Sequence, residues 1–296
     1  RDILGGMHMK IVIVGGVAGG ASAATRLRRL DENAQIVLFE RGEHISYANC
    51  GLPYYIGGTI KEREALLVQT PRAMKDKFNI DVRVQSEVTA IDRKNKTVSV
   101  TDLRTGKRYD ESYDKLILSP GAAPVRPPIP GIEQEGIFTL RTVPDTDAIK
   151  EAVDKGKPSE ALVVGGGFIG LEMAENLHSR GIKVTIVEAA DQVMAPIDYE
   201  MACIVHRHIL SKGLKLYLKD GVKAFHKEGK RVKVELQSGK LLAADMVILA
   251  IGVRPDVSLA KDAGLEIGER RGIKVNSYLQ TSDPDIYAVG DAIEVK

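Results

Sequence analysis

The chain has 296 residues, of which 44% are hydrophobic and 28% are charged, and its formal net charge is +2. This composition is typical of a globular protein with room for two domains. With this small net charge, no global field points to nucleic acid or to an acidic membrane surface as a partner. No apolar run reaches the about 18 residues of a membrane helix. With only two cysteines, Cys50 and Cys203, a disulfide framework is excluded and a cytoplasmic location is favoured.

The first part of the chain has the pattern of a dinucleotide-binding unit. Residues 1–8 are predicted to be a tag or linker, and the apolar strand Lys10–Val14 follows. The glycine-rich run Gly15–Gly20 then leads into an alanine-rich helix, and a second strand, Gln35–Phe39, ends at Glu40. In such units the glycine turn admits a pyrophosphate, and an acidic residue about 20 positions later binds the ribose. The alternative is a tight strand–helix turn that binds nothing.

The segment after this unit predicts an antiparallel layer and a domain crossover. Val82–Val88 and Thr97–Thr101 alternate like strands and are joined by the polar turn Asp92–Lys96. Another short strand is predicted at Lys115–Leu118. The stretch Pro124–Pro130 contains four prolines and is interpreted as the crossover to a second domain.

The second domain repeats the first pattern. The strand Ala161–Val164 leads into the turn Gly165–Gly170, which is followed by a predicted helix, Leu171–Arg180. The strand Lys183–Val187 ends at Glu188, at the spacing expected for the acidic residue. All three glycines of the dinucleotide motif are present here, whereas the first turn has valine at the middle position. If Glu188 binds a ribose rather than only ending a strand, its charge favours NADH over NADPH.

Two more strands follow, and their order predicts how the domains are connected. One, Lys230–Leu236, alternates between polar and apolar residues, and the other, Met246–Ala250, is an apolar run. Together they mirror the strands that precede the crossover. We therefore predict an α/β fold of two three-layer, Rossmann-like dinucleotide-binding domains, with the second inserted in the first. The predicted first domain comprises residues 9–119 and 251–296, and the second comprises residues 120–250.

Cys50 lies in a loop-forming sequence shortly after the first glycine turn. A free cysteine is most often a small buried hydrophobe. Its neighbours here, among them Ser46, Asn49 and Gly51, are poor core formers but can order a loop and donate hydrogen bonds to a thiolate. No second cysteine stands three or five positions away. A disulfide to Cys50 would therefore join it to a substrate, another part of the fold or another chain.

Other reactive or charged residues give weaker signals. Cys203 falls in the helical pattern Glu200–Leu210 and is predicted to pack in the protein interior. The two histidines of that helix are two positions apart and cannot share a metal ion, so no metal site is predicted. Arg26 and Arg29 share one face of the first helix. That face is either solvated or binds a substrate that carries phosphate.

Several separated motifs resemble one family. The chain is similar, from Lys10 to its C-terminus, to the FAD-dependent pyridine nucleotide–disulfide reductases. Within them it resembles the single-cysteine branch of coenzyme A disulfide reductases and NADH-dependent polysulfide or persulfide reductases. The motifs are Gly15–Ser22, Glu40, Ser46–Tyr54, Ser119–Pro124, Gly165–Glu175, Gly252–Asp256 and Thr281–Asp291.

The resemblance implies an electron path and roles for residues along it. NADH on the inserted domain passes a hydride to flavin N5, and the reduced flavin returns electrons to a mixed disulfide or persulfide at Cys50. Ser46 and Asn49 border this thiol and are counted with it as catalytic. Phe168 shields the nicotinamide pocket, and Asp291 hydrogen-bonds the ribityl chain of the flavin.

The resemblance also implies ligand contacts and partners. Ser22, Arg26 and Arg29 are expected to meet the adenine-nucleotide end of coenzyme A. Family members continue into a C-terminal dimerisation domain, sometimes followed by a rhodanese domain, so a truncated chain and a full-length homodimer are expected. The predicted cofactor-binding residues are Gly15, Gly16, Ala18, Gly20, Glu40, Arg41, Val88, Pro120, Gly121, Asp291, Gly165, Gly167, Phe168, Ile169, Gly170, Glu188 and Gly252.

Two other functions stay open. NADH oxidases and peroxidases of the same family cycle one cysteine through a sulfenic acid. They tend to have histidine at the position of Ala18, so the alanine here favours the reductases. The other alternative is a nucleotide-binding module that holds a reduced cofactor without turnover.

Overall fold

The computed structural model describes residues 8–295, so the predicted tag lies outside the described residues except for His8. The helices are α1 (Ala18–Leu30), α2 (Leu52–Gly57), α3 (Pro71–Phe78), α4 (Val143–Gly156), α5 (Phe168–Ser179), α6 (Tyr199–Ser211) and α7 (Ser258–Asp262). The strands are β1 (Lys10–Val14), β2 (Gln35–Phe39), β3 (Asp81–Arg83), β4 (Ser86–Asp92), β5 (Thr97–Asp102), β6 (Arg108–Ser112), β7 (Lys115–Leu118), β8 (Ala122–Pro124), β9 (Ile137–Thr139), β10 (Glu160–Val164), β11 (Lys183–Val187), β12 (Lys215–Tyr217), β13 (Val222–Glu228), β14 (Arg231–Leu236), β15 (Leu241–Ala244), β16 (Met246–Leu249), β17 (Val253–Pro255), β18 (Ile273–Val275), β19 (Ile286–Ala288) and β20 (Ile293–Val295).

The chain divides into two compact units. The first unit contains the chain up to residue 47, residues 67–123 and the chain from residue 254. The second unit contains residues 48–66 and 124–253. The crossings near residues 123 and 253 lie close to the predicted ones. The structure differs from the prediction at residues 48–66, which follow β2 of the first unit in sequence and yet pack in the second unit.

The first unit is built on a parallel sheet of strand order β19-β7-β1-β2-β3. Alternate residues of β1 face opposite sides, because successive side chains of a strand point to opposite faces. Ile13 packs with Ala24 of α1, while Val12 packs with Val98 of the antiparallel sheet β4-β5-β6. Helix, parallel sheet and antiparallel sheet therefore form three layers.

The second unit repeats this architecture. Its parallel sheet has the order β12-β11-β10-β16-β9, and α4, α5 and α6 pack on it. The antiparallel sheet β13-β14-β15 contributes Phe225 and Val234 to the core that Leu162 and Val164 of β10 share. The predicted α/β fold of two Rossmann-like units is confirmed.

The prediction of one strand at Val82–Val88 is wrong. The structure places two strands there, since β3 belongs to the parallel sheet and β4 to the antiparallel sheet. Gln85 between them has φ of 49°, in the left-handed region, and this breaks the extended chain. Its N–H donates to the Gly42 carbonyl at 3.0 Å and its carbonyl accepts from Leu103 at 2.8 Å. These tertiary bonds stabilise the break.

The helix after the second glycine turn begins earlier than predicted. It starts at Phe168, directly inside the turn, and Leu171 already donates to the Gly167 carbonyl at 3.0 Å. The first N–H groups of α5 consequently lie within the glycine turn. Within residues 8–295, every helix is too short or too polar to cross a lipid bilayer.

Candidate functional site

The first glycine turn joins β1 to α1 and has no room for side chains. Gly15 has φ of 96°, and a Cβ there would overlap the carbonyl oxygen of Ser119. A Cβ at Gly20 would overlap the Gly15 carbonyl, so α1 lies close to β1 only because this residue is glycine. Val17 provides no capping side chain. The first N–H groups of α1 are therefore available to an anion.

Glu40 ends β2, and its carboxylate closes the first turn. Oε2 accepts a hydrogen bond from the Gly16 N–H at 2.8 Å, and Oε1 accepts from the Gly42 N–H at 2.7 Å. A carboxylate has about four acceptor positions, so capacity remains for the hydroxyl groups of a ribose. Glu40 orders the turn and can still serve the predicted ligand contact.

The second glycine turn has the same geometry. Gly165 has φ of 109°, and a Cβ there would overlap the carbonyl oxygen of Ala250. A Cβ at Gly170 would overlap the Gly165 carbonyl. Gly167 is different, because no atom lies within 4 Å of its Cβ position. The other two glycines are required by close protein contacts, whereas the absence of a side chain at Gly167 leaves the main chain open to solvent or to a ligand.

Glu188 repeats the arrangement of Glu40. Its Oε2 accepts from the Gly166 N–H at 2.6 Å, and its Oε1 accepts from the Ala190 N–H at 2.8 Å. The two residues after Glu188 are Ala189 and Ala190, so they bring no positive charge to the site. This end of β11 suits a ribose with free hydroxyls better than one that carries a phosphate.

Two large apolar side chains are exposed at the start of α5. Phe168 is 60% exposed and Ile169 is 38% exposed, although both follow a buried strand and a tight turn. Exposed apolar groups at the opening of a nucleotide turn provide surface for a flat ring. The place of Phe168 fits its predicted role beside a nicotinamide, which stays a prediction.

His206 supports the second turn, a role that sequence reasoning missed. Its Nε2 accepts a hydrogen bond from the Val193 N–H at 3.1 Å, and burial lowers the pKa of this histidine. Val193 packs against the turn, since its Cγ1 lies 2.7 Å from the Cβ position of Gly166. Only a neutral imidazole can accept this bond, so protonation opposes it. The histidine pattern on a helix indicated no such tertiary partner.

The first turn also contacts two other predicted motifs. A Cβ at Gly19 would lie 2.7 Å from Ser119 Oγ and 3.6 Å from the Cα of Gly290. The 3-10 turn Gly290–Ala292 therefore lies against the start of α1, and it carries the exposed Asp291. The prediction omitted Gly19, although its place in the glycine run was a signal. The structure thus brings three separated motifs together in the first unit.

Four further predicted cofactor residues have different surroundings. Arg41 Nη2 lies 3.3 Å from Asp256 Oδ2, and the Asp256 N–H donates to the Gly121 carbonyl at 2.9 Å. Val88 is buried in the core of the first unit, so its side chain faces the protein. Gly252 has φ of 99° and belongs to the second unit, next to the crossover.

The predicted catalytic residues fall in different units. Ser46 belongs to the first unit, has φ of 45° and donates its N–H to the Gly16 carbonyl at 2.9 Å. Asn49 and Cys50 belong to the second unit, in the 3-10 turn Asn49–Gly51 that precedes α2. The Cys50 thiol is free and exposed, as a reactive thiol requires. Sequence order alone had assigned all three to the first domain.

Cys203 is half-buried on α6 rather than fully packed. Its thiol is the largest cause that raises the pKa of Tyr199, one helical turn earlier. The predicted substrate residues Ser22, Arg26 and Arg29 are exposed along one face of α1. Arg28, between them in sequence, instead donates to main-chain carbonyls, for example that of Glu32 at 2.7 Å.

Two nucleotide-type turns on separate α/β units, together with a free exposed thiol, define a dinucleotide-binding redox protein. The family model of pyridine nucleotide-disulphide oxidoreductases matches residues 9–296. The chain belongs to this family.

Curated relatives point to two activities. The chain is 38% identical over 284 residues to the coenzyme A disulfide reductase of Staphylococcus haemolyticus, covering 96% of this chain and 63% of the relative. It is 39% identical over 289 residues to an NADH oxidase of Methanocaldococcus jannaschii, covering 97% of this chain and 64% of the relative. The chain therefore spans less than two thirds of the length of these relatives.

Two solved structures are also similar to almost the whole of this chain. The reduced CoADR-RHD of Bacillus anthracis superposes with a TM-score of 0.96 at 58% identity, over 98% of this chain and 52% of that one. An NAD-dependent persulfide reductase from A. fulgidus superposes with a TM-score of 0.93 at 40% identity, over 97% of this chain and 53% of that one.

Proposed function

We propose that the full-length protein is an FAD-dependent NADH oxidoreductase that reduces coenzyme A disulfide, polysulfide or persulfide through Cys50. The observation that carries this proposal is the exposed, free Cys50 in the same unit as the second glycine turn. The similarity to a coenzyme A disulfide reductase and to a persulfide reductase supports it. Both reactions need one accessible thiolate and a source of two electrons.

The first unit fits FAD. The backbone at Gly15 and Gly20 lets a pyrophosphate approach the start of α1, where N–H groups are uncapped. Glu40 has acceptor capacity for the adenosine ribose, and the exposed Asp291 lies on the turn against α1. A bound FAD supplies the two-electron transfer between a nicotinamide and sulfur, while these residues hold and orient it.

The second unit holds the nicotinamide coenzyme, and we assign NADH to it rather than NADPH. Glu188 presents a carboxylate to the adenosine ribose, and an additional phosphate there would meet a like charge. Phe168 covers the nicotinamide side of the site. The open position at Gly167 lets the pyrophosphate contact the main chain.

Cys50 acts as the nucleophile. Its thiolate attacks one sulfur of the disulfide, forms a mixed disulfide and releases the other half as a thiolate. Two electrons from NADH then cleave the mixed disulfide, which releases the second half of the substrate as a thiolate and restores the Cys50 thiolate. We infer that Ser46 and Asn49 serve with this thiol as catalytic residues. Ser22, Arg26 and Arg29 present an exposed polar and positive face to the phosphates of coenzyme A.

We also infer a cytoplasmic location and a homodimer for the whole protein. The two cysteines of the chain are both free, which suits a reducing compartment. The solved and curated relatives are longer than this chain. We propose that the dimer contacts lie in the additional length.

The test is anaerobic oxidation of NADH by coenzyme A disulfide, catalysed by the full-length flavoprotein. We expect turnover that Cys50→Ser abolishes and that the matched variant Cys203→Ser retains. Equal turnover by Cys50→Ser and the unaltered protein would contradict the proposed function.

NADH oxidase is a second candidate, because a curated NADH oxidase is 39% identical to this chain. In that case Cys50 would cycle through a sulfenic acid, and NADH would be consumed only when oxygen is admitted. An oxygen electrode distinguishes the two functions: the reductase needs the disulfide and the oxidase needs oxygen.

A further inference from the structure

Residues 48–66, here called the thiol segment, are held by the second unit although strands of the first unit flank them in sequence. The segment is closed on itself, since the Ala48 N–H donates to the Leu66 carbonyl at 2.8 Å. It contains Cys50 and α2, and α2 packs against α4 and α5. Contacts with these two helices therefore help to hold its position.

One contact is a two-point ion pair between Arg63 of the thiol segment and Asp147 of α4. Arg63 Nη2 donates to Oδ2 of Asp147 at 2.7 Å, and Arg63 Nε donates to Oδ1 at 2.9 Å. The hydrogen bond to Asp147 is the largest cause that raises the pKa of Arg63. A planar guanidinium held at two points fixes direction as well as distance.

Further along α4, two residues continue this contact. Lys150 Nζ lies 5.2 Å from the ring centroid of Tyr55 in α2. Asp154 accepts from Arg180 Nη2 at 2.7 Å, and Arg180 Nη1 donates to the main-chain carbonyl of Ile56 at 3.0 Å. Arg180 thus links the end of α2 to α4.

These three α4 residues, Asp147, Lys150 and Asp154, share one side of the helix, because positions three and four apart are neighbours on a helix surface. We call them the α4 charged face. On the other side of α2, a Cβ at Gly57 would overlap the side-chain amide of Asn176, which is buried in α5. Helix α2 is therefore tightly packed against α5 and attached to α4 by charge.

Helix α5 begins at Phe168, inside the second glycine turn. The thiol segment therefore packs on the helix that leads out of this turn. We propose that the α4 charged face positions Cys50 relative to the second nucleotide turn, with Asp147 as the principal positioning residue through Arg63. The expected effect on catalysis rests on the proposed function. The expected effect on the placement of the thiol segment does not depend on it.

The first experiment measures the placement of the segment without turnover. The full-length flavoprotein and its Asp147→Asn variant are compared by hydrogen exchange of peptides from residues 48–66 and by the rate of Cys50 alkylation with iodoacetamide. We expect faster exchange across the segment and an altered alkylation rate in the variant. Glu151→Gln is the matched control, because Glu151 pairs with exposed Lys155 on α4. Unchanged exchange and alkylation in Asp147→Asn would overturn the proposal.

The second experiment separates positioning from a general structural effect. Asp147→Asn is expected to lower turnover with coenzyme A disulfide by about 10- to 100-fold, because small misplacements of reacting groups have effects of that size. Oxidation of NADH by ferricyanide, which needs no thiol, is expected to keep its rate and its KM for NADH. A parallel fall in both activities would mean that the ion pair only maintains the fold, and the proposal would fail.

The double variant Arg63→Asp/Asp147→Arg tests the pair directly. It restores opposite charges in reversed order, and we expect it to recover part of the disulfide turnover and the exchange protection that Arg63→Asp alone loses. No recovery in either measurement counts against a positioning pair. If Cys50→Ser retains disulfide turnover, the proposed function fails, while exchange and alkylation still decide whether the segment is positioned by α4.

Discussion

At the scale of single residues, the two carboxylates at the strand ends order the glycine turns. Glu188 closes its turn through the N–H groups of Gly166 and Ala190, and it retains acceptor positions for a ribose. Glu40 makes the same bonds to Gly16 and Gly42 in the first unit. Each side chain therefore orders its turn and keeps acceptor positions for the proposed ribose contact.

Glu188→Gln is expected to weaken NADH binding by about tenfold or more, because a hydrogen bond to a charged group contributes roughly 1.5–3 kcal/mol. The discrimination against NADPH should shrink, since the negative charge is removed. Titration of each coenzyme into the protein measures both effects. Glu200→Gln, on an exposed position of α6, serves as the control. Unchanged affinity for NADH in Glu188→Gln would exclude the ribose contact.

His206 is expected to make the stability of the second unit depend on pH. Burial lowers its pKa in the folded state, so its contribution to stability is complete above the unfolded value of about 6.5. The contribution is lost as the pH falls through the lower folded pKa. The urea concentration at the midpoint of unfolding should decrease as the pH is lowered from 8 to 5. The decrease should be smaller in His206→Gln, because the glutamine amide stays neutral. The same decrease in both proteins would contradict the assignment.

At the scale of elements, the two units share the main-chain hydrogen bonds that hold their glycine turns. Gly15 donates to the carbonyl at the end of β2 at 2.8 Å, and Gly165 donates to the end of β11 at 2.8 Å. Ser46 and Met194 both have positive φ, and each donates to the second glycine of its turn. The same strand–turn–helix arrangement therefore occurs twice in the chain, with different side chains. The feature that the two turns share is the close main-chain approach, which only glycine permits.

Two glycines of the second turn should respond differently to alanine. Gly170→Ala introduces a Cβ into the Gly165 carbonyl and should destabilise the protein by about 1–3 kcal/mol. Gly167→Ala meets no protein atom and should cost less than about 1 kcal/mol, yet weaken NADH binding. Thermal unfolding and coenzyme titration of both variants test this. Full NADH affinity in a folded Gly167→Ala would show that the open surface is not the coenzyme site.

At the scale of the whole molecule, the units are not contiguous in sequence. The thiol segment follows β2 in the chain and packs with residues 124–253. Coenzyme bound at the second turn should therefore stabilise the thiol segment together with the second unit.

Hydrogen exchange of the flavin-free protein with and without NAD+ tests this coupling. At a coenzyme concentration of 100 times Kd, amides that exchange through opening of the unit should slow by about 100-fold. Peptides from residues 48–66 are expected to slow with peptides from the second unit. Protection confined to residues 124–253 would contradict the shared unit.

The sequence by itself determined the two βαβ patterns and the inserted order of the domains, and it singled out Cys50 as the candidate thiol. These features are local, because strand periodicity, glycine spacing and a terminal carboxylate are set by neighbours along the chain. Only the tertiary structure decided that Gln85 divides a strand and that His206 supports a turn. It alone placed Cys50 and Ser46 in different units. The reason is that these features depend on contacts between distant residues, such as Arg63 with Asp147, which leave no periodic pattern in the sequence.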